Sequence, residues 1–414
     1  LTSIRSVLAA FAIILIDLCT RAGLDKVLAL VGGPAMVALW AQLQSVVEVV
    51  CVVAMVGVLQ GLTVLIAQAR ETRDERILLD AALKLALGTS TAVALAAALA
   101  APLLADSLGE GRTETIWLAA LTGCCATLPA TLNAYWLGKH RQQRMLRLAL
   151  LTGAVWLLAA AGAWMGLGLG ELMLAQCSAM LLIGGAIWRY LRSVSGEGGD
   201  QAKKSAYFRK LVKFVPVGLA IGILSPVSML LIRGILSGTL SWNEVGIMQA
   251  LWRSSDWVTA TSAGVLSLVF LPRFSQAYGS AQFARELERA GLMVLTAAAC
   301  LLLLIYLYQR TLLATLYDAR FAVSDEATAL FMLGNWARIA SWLFFFGLFA
   351  AHRTRLIMAG EVLSLPLYAL LLWLYANGMT LERAALLYLL SYLVYLGFNA
   401  ACVLRVKDRQ GPDT

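Results

Sequence analysis

Apolar segments of about 20 or more residues recur along the whole chain, and that recurrence leaves few folds open. A helix needs about 20 apolar residues to cross the hydrocarbon core of a bilayer. Twelve such stretches are read, at roughly 4–30, 35–67, 78–105, 114–138, 146–167, 170–191, 210–237, 242–271, 288–312, 327–351, 354–376 and 381–404. No soluble domain is left over. Hydrophobic residues make up 60% and charged residues 14% of the chain, where a soluble protein carries about 25% charged residues. The expected fold class is an all-α polytopic membrane protein.

The first segment imitates a secretory signal, because Arg5 precedes SVLAAFAIILI, but Asp17 interrupts it and no small-residue cleavage site follows cleanly. A retained helix is expected. Leu1 in place of Met leaves an alternative start codon or a short preceding segment open. The seven cysteines all fall within expected spans, where a thiol acts as a small apolar side chain. With only His140 and His352 beside them, they point to no disulfide framework, metal site or cofactor. Basic residues sort by loop. With the N-terminus in the cytoplasm, the inner segments QARETRDER, GKHRQQRMLR, RYLRSVSGEGGDQAKKSAYFRKLVK, PRFSQAYGSAQFARELER, AHRTR and RVKDRQ hold most of the 33 Lys and Arg, whereas DSLGEGRTET and YDARFAVSDE hold few. An even number of spans returns the C-terminus to the cytoplasm. The net charge of +9 is therefore a topology signal and implies no nucleic-acid partner.

The charged stretch around 193–213 divides the chain near its midpoint, giving an N-terminal six-helix bundle (1–196), a cytoplasmic linker (197–209) and a C-terminal six-helix bundle (210–414). The halves repeat each other. VALWAQLQSVVE, 37–48, lines up without gaps on VGIMQALWRSSD, 245–256, which sets Glu48 against Asp256 at an offset of 208. Further on, Gly57-Val58-Leu59 meets Gly264-Val265-Leu266 one residue out of step, and Gln68 meets Gln276. His140-Arg141 recurs as His352-Arg353 at an offset of 212. Coincidence between apolar helices of similar length is the alternative. Taken as a true repeat, the halves enter the membrane in the same direction, are related by a pseudo-two-fold axis along the membrane normal, and enclose a cavity that opens to either side.

Polar groups deep in these spans are the candidate functional residues. An arginine or carboxylate at the bilayer centre costs about 2.5–3.5 kcal/mol even on lenient insertion scales, so it faces a partner or a water-filled cavity. In SWNEVGIMQALWRSSDW, 241–257, Gln249, Arg253 and Asp256 stand at i, i+4 and i+7 on one helix face. Pairing of Arg253 with Asp256 along the helix is the alternative to a cavity role. Arg338 shares a polar face with Asn335 and Ser341 in the tenth span, and Glu48 with Gln44 forms a similar stripe on the second. Lys84 stands eight residues after Arg76, so snorkelling to the surface and cavity lining are both open for it. Asp17, Arg21, Asp25 and Lys26 have spacings that suit pairs along the first helix or an end at the outer interface. Glu361 is expected to meet Arg353 and Arg355 at headgroup level, and Asn133, Gln176 and Asn399 to hydrogen-bond between helices. Cavity arginines suit an anion, because guanidinium forks onto phosphate oxygens. Equivalent carboxylates suit proton or cation exchange. Substrate binding is accordingly assigned to Arg338, Arg253, Lys84, Asn335 and Gln249, and ion coupling to Asp256 and Glu48, with no catalytic or metal-binding residue.

SWNEVGIMQALWRSSDW and the VFLPRFSQ that closes its span resemble the start of the second half in Wzx-type flippases of the multidrug/oligosaccharidyl-lipid/polysaccharide (MOP) exporter superfamily. GGPAMVALWAQLQ, GVLQGLTVLIAQ and LGNWARIASWLFFFGLFAAHRTRLIMAGEVLS carry the likeness further; it is strong in 241–276 and 333–364 and faint in spans three to six. The resemblance implies twelve transmembrane helices in two six-helix bundles (MOP/MATE-like) in a bacterial inner membrane. It implies export of an undecaprenyl-pyrophosphate-linked oligosaccharide, an O-antigen or enterobacterial common antigen unit of lipopolysaccharide-type surface polysaccharide biosynthesis. Membrane lipids, a polysaccharide polymerase and a chain-length regulator are the implied partners. Asp256 and Glu361 fall on acidic positions of the family and Arg338 on a basic one, while Arg253 falls where the family carries a small hydroxyl residue. A MATE-like drug or cation exporter is the alternative, and would line its cavity with carboxylates and aromatics. A membrane polysaccharide polymerase is a further alternative. It needs a sizeable outer domain, whereas the longest outer loop, about 309–326, offers only YDAR and SDE, so an enzyme is not expected.

Overall fold

A computed structural model describes residues 4–55, 58–69, 71–108, 113–139, 141–195, 201–212 and 224–408. Residues 197–200 of the expected linker, 213–223 of the seventh expected span, Gly57 and His140 lie outside the described residues. Among the described residues, ten segments are long and apolar enough to cross a membrane, where twelve were expected along the whole chain. The segment Ala12–Ala54 joins most of the first expected span to residues 35–54 of the second, whose remainder lies in the separate helix Val58–Gln68, and the seventh is represented by the shorter apolar helix Leu224–Thr239. Large apolar side chains stand outward, Leu99 81% and Leu182 77% exposed. Water would penalise such a surface and lipid does not. The chain forms two compact units, Leu1–Leu230 and Leu231–Thr414.

In the first unit, helix α1 (Ile4–Ala54) runs through a break at Gly33, whose φ of 72° and ψ of −165° suit only glycine. Pro34 follows, lacks an N–H and disfavours helical geometry in the residue before it, so one stretch becomes two rods. Helices α2 (Val58–Gln68), α3 (Thr72–Leu108), α4 (Thr113–Gly138), α5 (Gln142–Trp164) and α6 (Leu169–Ser195) follow. Asp74 and Glu75 begin α3, the charge sign that suits a helix N-terminus. Glu75 also takes the Lys139 ammonium at 2.5 Å. Helix α4 packs on α1, α2, α3 and α6. It comes so near α1 that a Cβ on Gly123 would lie 2.7 Å from the Val47 carbonyl oxygen. Residues 201–209, expected as linker, belong instead to α7 (Gln201–Val212), which drives Leu211 into a core with Leu62, Leu78, Leu79 and Leu191.

The second unit begins within α8 (Leu224–Thr239). Helix α9 (Trp242–Val265) opens on a capping box: Ser241 Oγ accepts the Glu244 N–H at 3.3 Å, and the Ser241 N–H donates to Glu244 Oε2 at 2.9 Å. A π turn, Leu266–Phe270, carries it into α10 (Leu271–Ala277). Pro272 has no N–H to return to Leu268, and the ladder loosens there, with the Leu271 N–H on the Leu266 carbonyl. Then come α11 (Ala281–Leu307), α12 (Gln309–Leu316), α13 (Asp325–Ala350), α14 (Thr354–Val362), α15 (Leu365–Leu374) and α16 (Leu381–Asp408). Helix α12 takes up part of the outer loop expected at 309–326. The eleventh expected span is broken at Leu363-Ser364, just ahead of Pro366. Helices α13 and α16 pack along one another. A Cβ on Gly334 would meet the Tyr388 ring at 2.5 Å, so that helix pair is close enough to place α16 tyrosines against α13.

Candidate functional site

Those tyrosines build an aromatic box in the second unit. Trp252 of α9 stands edge-on to Phe331 at 5.6 Å and to Tyr388 at 5.4 Å, Phe331 and Tyr388 stack at 4.6 Å, and Tyr388 meets Tyr392 at 4.8 Å. Each such pair adds about 0.5–1.5 kcal/mol beyond the area it buries. Asn335 is the polar bolt of this box. It is fully buried, the Tyr388 hydroxyl donates to its Oδ1 at 3.0 Å, and its Nδ2 donates to the Phe331 carbonyl at 3.0 Å. Both ends of the amide are occupied, so Asn335 holds Tyr388 in place.

Arg338, one turn further along α13, is half-buried against the box. Its guanidinium carbon lies 4.8 Å from the Trp342 ring centroid and 5.8 Å from that of Tyr392. Rings hold a cation through their quadrupole without neutralising it. Asp256 on α9 and Glu361 on α14 both act electrostatically on Arg338. Glu361 does not pair with Arg353 or Arg355 as expected. Its Oε1 accepts the Tyr395 hydroxyl at 2.7 Å, because α16 lies beside α14 and supplies a buried donor closer than either surface arginine. Arg253 and Asp256 are both half-buried on α9.

Gln249 is 5% exposed, and its Oε1 accepts Arg233 Nε at 3.1 Å and Nη2 at 2.9 Å. Arg233 is itself buried. Sequence reasoning passed over this residue, although it carries the same signal as Arg253, a guanidinium deep in an apolar stretch.

The remaining candidates lie in the first unit. Glu48 Oε1 takes Arg21 Nη1 at 3.4 Å, Asp17 Oδ1 takes Arg21 Nε at 3.0 Å, and the guanidinium stands 5.0 Å from the Trp156 centroid. Lys84 reaches Asp80 at 2.8 Å, with its side chain 67% exposed, so it pairs along its own helix. Gln176 links helices as expected, through a reciprocal amide pair with Gln44 at 2.7 and 3.3 Å.

No family model matches the chain. The Lipid III flippase of Escherichia coli (strain K12) is 26% identical over 394 residues, 91% of this chain and 92% of that relative, and that of Shigella flexneri matches to the same extent. Among solved structures, the lipid II flippase MurJ in an inward closed conformation has a TM-score of 0.70 at 10% identity, covering 99% of this chain and 91% of that one. An inward-facing multidrug resistance MATE family transporter of the MOP superfamily has 0.69 at 12% identity, covering 96% and 95%. The chain therefore has the helical fold of MOP superfamily transporters and is a transporter rather than an enzyme.

Proposed function

We propose that this protein is a flippase for undecaprenyl-pyrophosphate-linked oligosaccharide. It carries O-antigen or enterobacterial common antigen repeat units from the cytoplasmic to the periplasmic leaflet of a bacterial inner membrane. Two six-helix bundles rock between inward and outward access, both termini are cytoplasmic, and a polymerase and a chain-length regulator take up the product. The observation that carries this reading is the likeness to a lipid III flippase over nine-tenths of both chains. Arg338 supports it from the site: a guanidinium held by rings keeps its charge for an anion, and the fork matches pyrophosphate oxygens. Asp256 and Glu48 remain the proposed coupling carboxylates, with Asp256 in the field of Arg338.

Export of cationic drugs is the second reading, favoured by the MATE likeness and opposed by Arg338, which repels a cation. Proteoliposomes decide between them. The expected outcome is protein-dependent movement of a labelled undecaprenyl-pyrophosphate oligosaccharide out of reach of an added glycosidase. Transport of a cationic dye with no movement of the glycolipid would overturn the proposal.

A further inference from the structure

The turns that close α4 and α13 are alike bond for bond. Arg141 caps α5 at φ −95°, ψ 60°, and Arg353 caps α14 at φ −88°, ψ 57°. The Arg141 N–H returns to the Trp136 carbonyl at 2.9 Å, and the Arg353 N–H to the Leu348 carbonyl at 3.1 Å. Each arginine carbonyl then accepts two N–H groups of the next helix, from Arg144 and Met145 in one case and Leu356 and Ile357 in the other.

A cavity opens beside each turn. In the second unit it measures about 640 Å³ and is lined by His352, Arg353, Arg355 and, from the end of α16, Arg405. In the first it measures about 450 Å³ and is lined by Arg144 and Arg147 together with Trp136, Ile183, Ile187 and Tyr190. The Arg144 Nη1 donates to the Tyr190 hydroxyl at 3.0 Å, and both residues line this cavity. Among the described residues none of these five arginines forms an ion pair. A basic loop alone satisfies the positive-inside rule. It does not require the charges to converge on a cavity, nor to do so at the same turn in both units.

We infer that each unit carries a pocket for a phosphate-bearing lipid headgroup at this turn. Guanidinium groups crowded without carboxylates repel one another until an anion joins them, and they bind phosphate through a two-point fork. The apolar wall of the first pocket suits the chain attached to that headgroup. Two lipids offer the chemistry: an anionic phospholipid of the bilayer and the pyrophosphate of a polyprenyl carrier. The phospholipid arm stands whether or not the proposed transport is correct.

Native mass spectrometry of the full chain, titrated with phosphatidylglycerol, undecaprenyl pyrophosphate or phosphatidylcholine, tests the inference. Both anionic lipids or one of them should bind at least about tenfold tighter than phosphatidylcholine, with two sites per chain. The double variants Arg144→Gln/Arg147→Gln and Arg353→Gln/Arg355→Gln should each remove one bound lipid, and the corresponding Lys pairs should weaken binding while keeping the count. Competition by undecaprenyl pyrophosphate for bound phosphatidylglycerol would make the carrier an occupant; its absence would leave the bilayer phospholipid. Unchanged stoichiometry and affinity for every lipid in the four-arginine variant would overturn the inference, as would an equal loss with Arg310→Gln, which lies outside both pockets.

Discussion

Arg21 in the first unit and Arg338 in the second are both half-buried arginines within membrane-length helices, each against an aromatic ring, and they differ in their carboxylates. Two carboxylates, Asp17 and Glu48, close on Arg21 at 3.0 and 3.4 Å. Arg338 has rings at 4.8 and 5.8 Å, and among the described residues no carboxylate reaches ion-pair distance from it. One charge is met by carboxylates at ion-pair distance, and the proposed role of the other as an anion site rests on its having none there. The two guanidinium groups thus have different surroundings, although the sequence repeat sets Glu48 and Asp256 on equal terms.

The comparison breaks first at the arginines themselves. Arg338→Ala should reduce flipping of lipid-linked oligosaccharide in proteoliposomes by about 10- to 150-fold at matched expression, the range set by about 1.5–3 kcal/mol for hydrogen bonds to a charged group. Arg338→Lys should restore part of it, keeping charge and losing the fork. Arg21→Ala should lower thermal stability more than flipping rate; the reverse order would sink the contrast between the two units.

A second test sharpens the role of the acidic partner. If Asp256 serves Arg338, Asp256→Asn should slow flipping about tenfold, and adding Arg253→Ser should not rescue it. Rescue by the double variant, read as wild-type flipping with unchanged pH dependence, would make Arg253–Asp256 a structural pair and remove Asp256 from coupling.

A smaller effect is expected at the bolt of the aromatic box. Tyr388→Phe removes the donor that Asn335 Oδ1 accepts, leaving a buried acceptor unsatisfied at about 1–3 kcal/mol. The melting temperature in detergent should fall, with flipping of the surviving protein close to normal. The smallest effect belongs to Lys84→Ala, because exposed i,i+4 pairs contribute little; flipping within about twofold of wild type is expected, and a larger loss would return Lys84 to the substrate path.

Much of the architecture was legible because span length is a property of local composition. The apolar runs around α3 to α6 and α11 to α16 announce themselves whatever they pack against. Breaks inside spans were harder to see. Gly33-Pro34 reads as a gap between two helices, yet the glycine's positive φ lets one helix bend through it. The turn at Leu363-Ser364 lies in a run whose hydropathy never falters, and only Pro366 hints at it. Site residues followed the same logic. Lys84 and Asp80, or Arg21 and Asp17, are four apart, so their pairing is visible along one helix. Arg233 and Gln249 are 16 apart and Glu361 and Tyr395 are 34 apart, and those partners depend on which helices lie side by side. The sequence sets Asn335 on one helix face with Arg338 and Ser341, but its burial under Tyr388 is a fact of packing that periodicity does not carry.

The π turn at Leu266–Phe270 has a numerical consequence for the repeat. From Gly57 to Gln68 the first stretch advances 11 residues, and from Gly264 to Gln276 the second advances 12. A π turn absorbs one residue more than an α turn, and this one falls inside the longer interval. The surplus residue is thus stored in the ladder instead of displacing the helix beyond it, and the two stretches come back into phase by Gln276. Counting by turns rather than by residues, the second stretch gains nothing. Deleting one residue between 266 and 270 should therefore be tolerated better than deleting one elsewhere in α9, since it would leave an unbroken α-helix with both ends in phase.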